Sequence, residues 1–158
     1  MIEKFPVKSF FSPRDIEKVL NVSYRQLQYW DQTDFIKPSY RKQKKFRLYT
    51  FTDVLLLKIA WELRQKRNFS IQKLRKTIEL MKQLLHKVTH PLIELTFLID
   101  EERILVFNGD VVMDEVSKDN HFKFCVGQLR QEIDDFFSTK SDDDDDQNDY
   151  VSGLEEAS

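Results

Sequence analysis

Three spacings in this 158-residue chain could hold reactive chemistry, and each falls short of it. His121 and Cys125 stand four residues apart, the separation at which an imidazole could activate a thiol. Nothing nearby supplies an orienting group or an oxyanion hole, so incidental packing is the expectation. His86 and His90 repeat the spacing, but Pro91 ends any helix there and no carboxylate joins them as a ligand. The run Asp142 to Asp146 could hold a divalent cation only weakly, since an unorganised acidic stretch mostly solvates. Cys125 is the single cysteine, which excludes an internal disulfide and gives a thiophilic metal one ligand at most. It reads as a small buried residue in a reducing cytoplasm. Three glycines leave no phosphate-cradling loop or dinucleotide fingerprint. No catalytic residue, metal or cofactor is expected, and the chain is expected not to be an enzyme.

A different chemistry is better supported. Arg25, Gln28 and Tyr29 fall within one short helical pattern, where guanidinium and amide can make bidentate bonds to base edges in a major groove. Arg41, Lys42, Lys44 and Lys45 crowd a short turn and would attract phosphates regardless of base sequence. Charge along the chain points the same way. Residues 1–88 carry 20 Lys and Arg against 8 Asp and Glu, a surplus of 12 positive charges; residues 89–158 carry 5 against 19, a deficit of 14. The net charge of −2 conceals a basic half suited to a polyanion and an acidic half ending in a tail.

The elements that must position these residues are legible in outline. Ser12 is a helix cap, Pro13 suits the first helical position, and Asp15 completes a short capping box. Ile16, Val19 and Leu20 form one apolar stripe. Asn21-Val22 interrupts, and Ser23 caps a second helix from Tyr24 to about Gln32, with Leu27 and Trp30 turned to a core. Tyr29 and Trp30 are adjacent and cannot both face inward, so Tyr29 is assigned outward. Phe35 to Pro38 closes this pair, and the basic turn 41–45 between extended segments reads as a β-wing. A third helix is expected from a cap at Thr52 to about Lys66. In a fourth, Ile71, Leu74, Ile78, Met81, Leu85 and Val88 make a narrow apolar seam. Beyond His90-Pro91, a three-stranded antiparallel meander is expected from residues 95–99, 103–107 and 110–113, with Asn108-Gly109 as a hairpin signal. Leu129, Ile133, Phe136 and Phe137 give a short amphipathic helix. From residue 139 the composition is that of a disordered acidic tail. The fold class expected is α+β, mainly α, divided as 1–88, 89–138 and 139–158. No apolar run approaches the roughly 20 residues that span a bilayer, and the first residues lack the apolar segment of a secretory signal.

Residues 10–88 resemble the DNA-binding domain of the MerR family. The stretch Val22-Ser23-Tyr24-Arg25-Gln26-Leu27-Gln28-Tyr29-Trp30-Asp31 is close to that family's "VSxRTLRYYE". Phe35-Ile36-Lys37-Pro38 stands for "LLxP", Phe46-Arg47-Leu48-Tyr49 for "GYRxY", and Phe69-Ser70-Ile71-Gln72-Lys73-Leu74 for "FSLxEI". The resemblance implies a winged helix-turn-helix in which Arg25, Gln28 and Tyr29 touch DNA, while Arg47 and Tyr49 grip its backbone. Ser12, Arg14, Ser23 and Tyr24 complete the DNA-facing set. The partner implied is double-stranded DNA, at a two-fold-related site bound by a homodimer or paired monomers in the cytoplasm, at the nucleoid. Three departures stand out. Gln28 replaces the family's second arginine, Phe46 replaces the wing glycine, and β-structure begins near Leu92 where the family has its long dimerisation helix.

Residues 90–128 also resemble, faintly, the β-rich domain attached to some MerR-like antitoxins. That implies an alternative, an autoregulator whose residues 90–137 bind a protein partner. An architectural DNA-binding factor is a further alternative. The Asp142–Asp146 run mimics a row of phosphates and could compete for the basic half.

Overall fold

The computed structural model describes residues 8–42, 46–113 and 121–139. The elements are β1 (Phe10–Phe11), α1 (Pro13–Leu20), α2 (Tyr24–Gln32), β2 (Tyr40–Lys42), β3 (Phe46–Thr50), α3 (Phe51–Lys66) and α4 (Ile71–Lys87). A 3-10 turn (Leu92–Glu94) then precedes β4 (Leu95–Ile99), β5 (Ile104–Asn108), β6 (Phe122–Cys125) and α5 (Val126–Thr139). The fold is α+β and mainly α, as expected. Two compact units share these elements: residues 1–54 with 132–158, and residues 55–131. The functional division expected at 88/89 coincides with neither boundary.

In the first unit the local signals operate as the residues suggest. Ser12 Oγ accepts from the Asp15 N–H at 3.1 Å, and the Ser12 N–H donates to Asp15 Oδ2 at 3.0 Å, closing a reciprocal capping box. Asn21 ends α1 in the left-handed conformation at φ 62°, which asparagine tolerates. Ser23 Oγ caps α2 by accepting from the Gln26 N–H at 3.0 Å, and Glu17 Oε2 accepts the Tyr24 N–H at 2.7 Å. One capping expectation is corrected. Thr50, not Thr52, caps α3: its Oγ1 accepts from the Asp53 N–H, and its own N–H donates to Asp53 Oδ2. Asp53 also accepts from the Ser39 N–H and hydroxyl, both at 2.9 Å, which fixes the approach to the wing.

The wing sheet has the order β1-β3-β2, all antiparallel. Its register pairs Phe11 with Tyr49 and Arg41 with Arg47 on one face, and Phe10 with Thr50 and Tyr40 with Leu48 on the other. Phe11 and Tyr49 are buried, whereas Phe10 and Tyr40 meet edge-on at 5.4 Å on the exposed face. Leu27, Trp30, Phe35 and Ile36 are buried, with Trp30 edge-on to Phe35.

In the second unit, Ser70 caps α4, and Leu74, Ile78 and Met81 are its buried stripe. The three-stranded sheet is present, in the order β5-β4-β6, so the expected meander is corrected in its third strand. That strand is Phe122–Cys125 rather than residues 110–113, and Val112 is almost wholly exposed. The central strand β4 is buried at every position, which accounts for its largely apolar sequence, interrupted only by Thr96. The β4–β5 turn is held by Asp100, whose Oδ1 accepts the Glu102 and Arg103 N–H groups at 2.8 Å each. Partial burial opposes ionisation of Asp100, but these bonds, with His121 and Arg103 beside it, hold the carboxyl below the usual carboxylate range.

Gly127 lets α5 follow β6 without a loop. A Cβ there would lie 2.9 Å from the Ile93 carbonyl oxygen, a backbone atom that cannot swing aside. Gly127→Ala is therefore expected to cost about 1–3 kcal/mol through overpacking, instead of gaining the roughly 1 kcal/mol alanine brings to an open helix position. Urea unfolding of the two proteins measures the difference. No helix among the described residues is long and apolar enough to cross a membrane.

Candidate nucleic-acid interface

Helical spacing sorts the side chains of α2 into two faces. Leu27, Trp30 and Asp31 point inward and are buried. Arg25 and Tyr29 are exposed, Gln28 is half-buried between them, and Gln32 extends the row by one turn. Tyr29 is 56% exposed and Trp30 5%, which decides that adjacent pair as expected. Gln32, overlooked in the sequence, follows Gln28 by four residues and shares its face.

The buried carboxylate of Asp31 organises what surrounds this face. It lies at the second-to-last position of α2, where the helix dipole disfavours an anion. Three cations compensate: Arg47 Nε at 3.2 Å, Lys37 Nζ at 3.5 Å, and the Arg41 guanidinium, hydrogen-bonded to Oδ1. Arg41 and Arg47 are direct cross-strand neighbours, a placement that like charges oppose unless an anion lies between them. Asp31 is that anion. It fastens β2 and β3 to the end of α2, so this helix and the wing act as one piece. The Arg47 guanidinium also lies 5.2 Å from the Tyr24 ring centroid, holding that exposed ring by a cation–π contact. Asp34, hydrogen-bonded to Lys37 at 2.7 Å, heads the influences that raise the Lys37 ammonium above its ordinary value, with Asp31 adding to it.

Several DNA-facing expectations change at this point. Tyr49 is fully buried, and its hydroxyl has no hydrogen-bond partner among the described residues. Strand parity places it beside Phe11 in the core, so it cannot offer its hydroxyl to a phosphate. Ser12 is buried too, engaged in the capping box. Arg47 is only 13% exposed in its side chain and is chiefly a support for α2, whereas Arg41 keeps 35% of its side chain open to solvent. Arg14, Ser23, Tyr24, Arg25 and Tyr29 are exposed. Lys44, Lys45 and the side chain of Lys42 lie outside the described residues. The His121–Cys125 pair that first suggested reactive chemistry is not brought together, and Asp142–Asp146 lie outside the described residues. His121 Nε2 faces Asp100 at 3.5 Å, whereas Cys125 Sγ lies 3.8 Å from Thr96 Oγ1 at the other end of β6.

Burial moves the Tyr49 phenol up from 10.0 to about 12. A group that holds its proton more tightly when folded contributes stability in full below pH 10, and loses it as pH climbs through 12. The rise corresponds to roughly 2–3 kcal/mol. Tyr49→Phe is therefore expected to remove that share of the alkaline loss while leaving neutral-pH stability unchanged or improved, because no hydrogen bond is given up. Denaturant titrations of both proteins at pH 8 and pH 11.5 give the difference.

Residues 11–84 match the model of the MerR HTH family regulatory proteins. The N-terminal module is a MerR-type helix-turn-helix. The match spans α1, α2, the wing, α3 and nearly all of α4, so it covers both the exposed α2 face and the Asp31 cluster behind it. A comparison with curated proteins gives no match. The MerR-type module is that of a family of DNA-binding transcription regulators. Where its relatives' motif carries a second arginine this chain has Gln28, and the chain passes from α4 through the 3-10 turn into β4 without a long dimerisation helix.

Proposed function

We propose that this protein is a sequence-specific DNA-binding transcriptional regulator whose α2 enters the major groove while the wing lies on the flanking backbone. The observation that carries the reading is the outward row of exposed Arg25, Tyr29 and Gln32 with half-buried Gln28 among them, backed by the buried Asp31 that couples it to both wing strands. Arg25 offers paired donors to a guanine edge and Gln28 a donor and acceptor to an adenine edge. Tyr24, Tyr29 and Ser23 keep hydroxyls within reach of phosphates. Arg14 and Arg41 add charge without base preference. Functionally, residues 1–88 serve DNA, and residues 89–138 serve dimerisation or a protein partner. The protein acts in the cytoplasm, at the nucleoid, on double-stranded DNA, and carries out no catalysis.

Selection of bound genomic fragments by the full chain, followed by binding isotherms on the enriched sequence and on a scrambled one, tests this reading. Preference for the enriched site by roughly a thousandfold or more at physiological salt is the expectation for specific recognition. Equal affinity for both, with bending of the duplex, would mark an architectural factor instead.

A further inference from the structure

Resting on the DNA-binding reading, we infer that the acidic segment 140–158 docks on the winged-helix unit and competes with DNA for it. The placement of α5 brings the segment there. The C-terminal half of α5 belongs to the same compact unit as α1, α2 and the wing sheet. Phe137 lies 6.0 Å from Phe11 ring to ring, and the Lys8 ammonium lies 4.7 Å from the Phe137 centroid. Phe11 is the β1 residue that pairs with Tyr49 of β3. The chain therefore leaves α5 at the foot of the wing sheet.

Reach and charge fit the same occupant. Arg41 stands two strands across from Phe11 and two residues along, which places their backbones roughly 12 Å apart. Asp142 to Asp146 follow Thr139, the last residue of α5, by three to seven residues, a reach of up to about 10 to 24 Å, so the run can arrive at Arg41. The whole segment can extend to roughly 60 Å, well beyond the dimensions of a unit this size, so it can continue across the α2 face to Arg25 and Lys18. Residues 140–158 carry eight acidic side chains against one lysine, and residues 1–54 carry eleven basic against six acidic. Extended aspartates repeat a negative charge about every 3.4 Å, close to the spacing of phosphates along one DNA strand. The run Asp142–Asp146 thus presents to Arg41 and Arg25 the charge pattern that those residues meet on DNA.

The test uses the full-length protein and a variant with Asp142, Asp143, Asp144, Asp145 and Asp146 all changed to Asn. Binding to a mixed-sequence duplex is followed by fluorescence anisotropy at about 50 mM and about 300 mM salt, where screening differs strongly. If the segment occupies the face about nine-tenths of the time, removing it tightens Kd roughly tenfold at low salt, and the two proteins converge at high salt. Equal Kd values at low salt would overturn the inference. DNA-free amide spectra separate docking from diffuse repulsion: the substitutions should shift signals of α2 and β2, and unchanged signals there would also overturn it. Should neither protein bind DNA, the DNA-binding reading fails, while the amide spectra still decide whether the segment docks.

Discussion

Replacing Asp31 with asparagine is expected to destabilise the protein by about 3 kcal/mol, the usual cost of removing one partner from a buried ion pair. The substitution preserves volume, so the loss reports charge rather than packing. It leaves Arg41 and Arg47 directly opposed across the β2–β3 ladder without the carboxylate that reconciles them. Chemical unfolding gives the stability term. DNA affinity, measured where the variant remains folded, should also fall, because the wing strands are no longer fastened to the end of α2. A variant as stable as the parent would mean that the arginines find equivalent partners elsewhere, and would remove the coupling of helix to wing.

Arg25→Ala should have the largest effect on recognition and almost none on folding. The side chain is exposed, so its loss creates neither a cavity nor an unpaired buried charge. A bidentate arginine–guanine contact is worth about 1–3 kcal/mol, so affinity for the preferred site should drop about 5- to 150-fold. The change should relax discrimination at a single base-pair position. Arg41→Ala should differ in kind, weakening all sequences alike and lowering the salt dependence, as loss of a phosphate contact does. Competition binding with single-base variants of the site distinguishes the two patterns. Tyr49→Phe supplies the contrast, since a buried phenol has no route to the duplex.

What could be read from residues alone was largely local. Ser12 with Asp15, and Ser23 ahead of an apolar run, act within a single helical turn, and both caps form as the spacing indicates. The assignment of Trp30 inward and Tyr29 outward needed only the 3.6-residue period that also places Leu27. Asp31 shows where such reading stops. A carboxylate near the negative end of a helix was a visible anomaly, but its partners lie 6, 10 and 16 residues onward, brought back by the wing. Tyr49 is similar: its burial depends on the register of β3 against β1, a strand of two residues too short to show a period. In the second unit, Asn108-Gly109 does form a bend, with Gly109 at φ 100°, but its N–H donates to the Glu94 carbonyl and the chain leaves the sheet. The true third strand, Phe122 to Cys125, alternates buried and exposed in the strand manner. Four residues running directly into α5 gave that alternation too little length to be recognised.

Dimethyl sulfate protection of the preferred duplex probes major-groove entry by α2 directly, because it reads guanine N7 in that groove. The expected result is a small set of guanines protected by the parent protein, one of which becomes reactive again with Arg25→Ala while the rest stay covered. Tight binding with every guanine N7 still open, or a protection pattern identical for parent and Arg25→Ala, would contradict the placement of α2 in the groove.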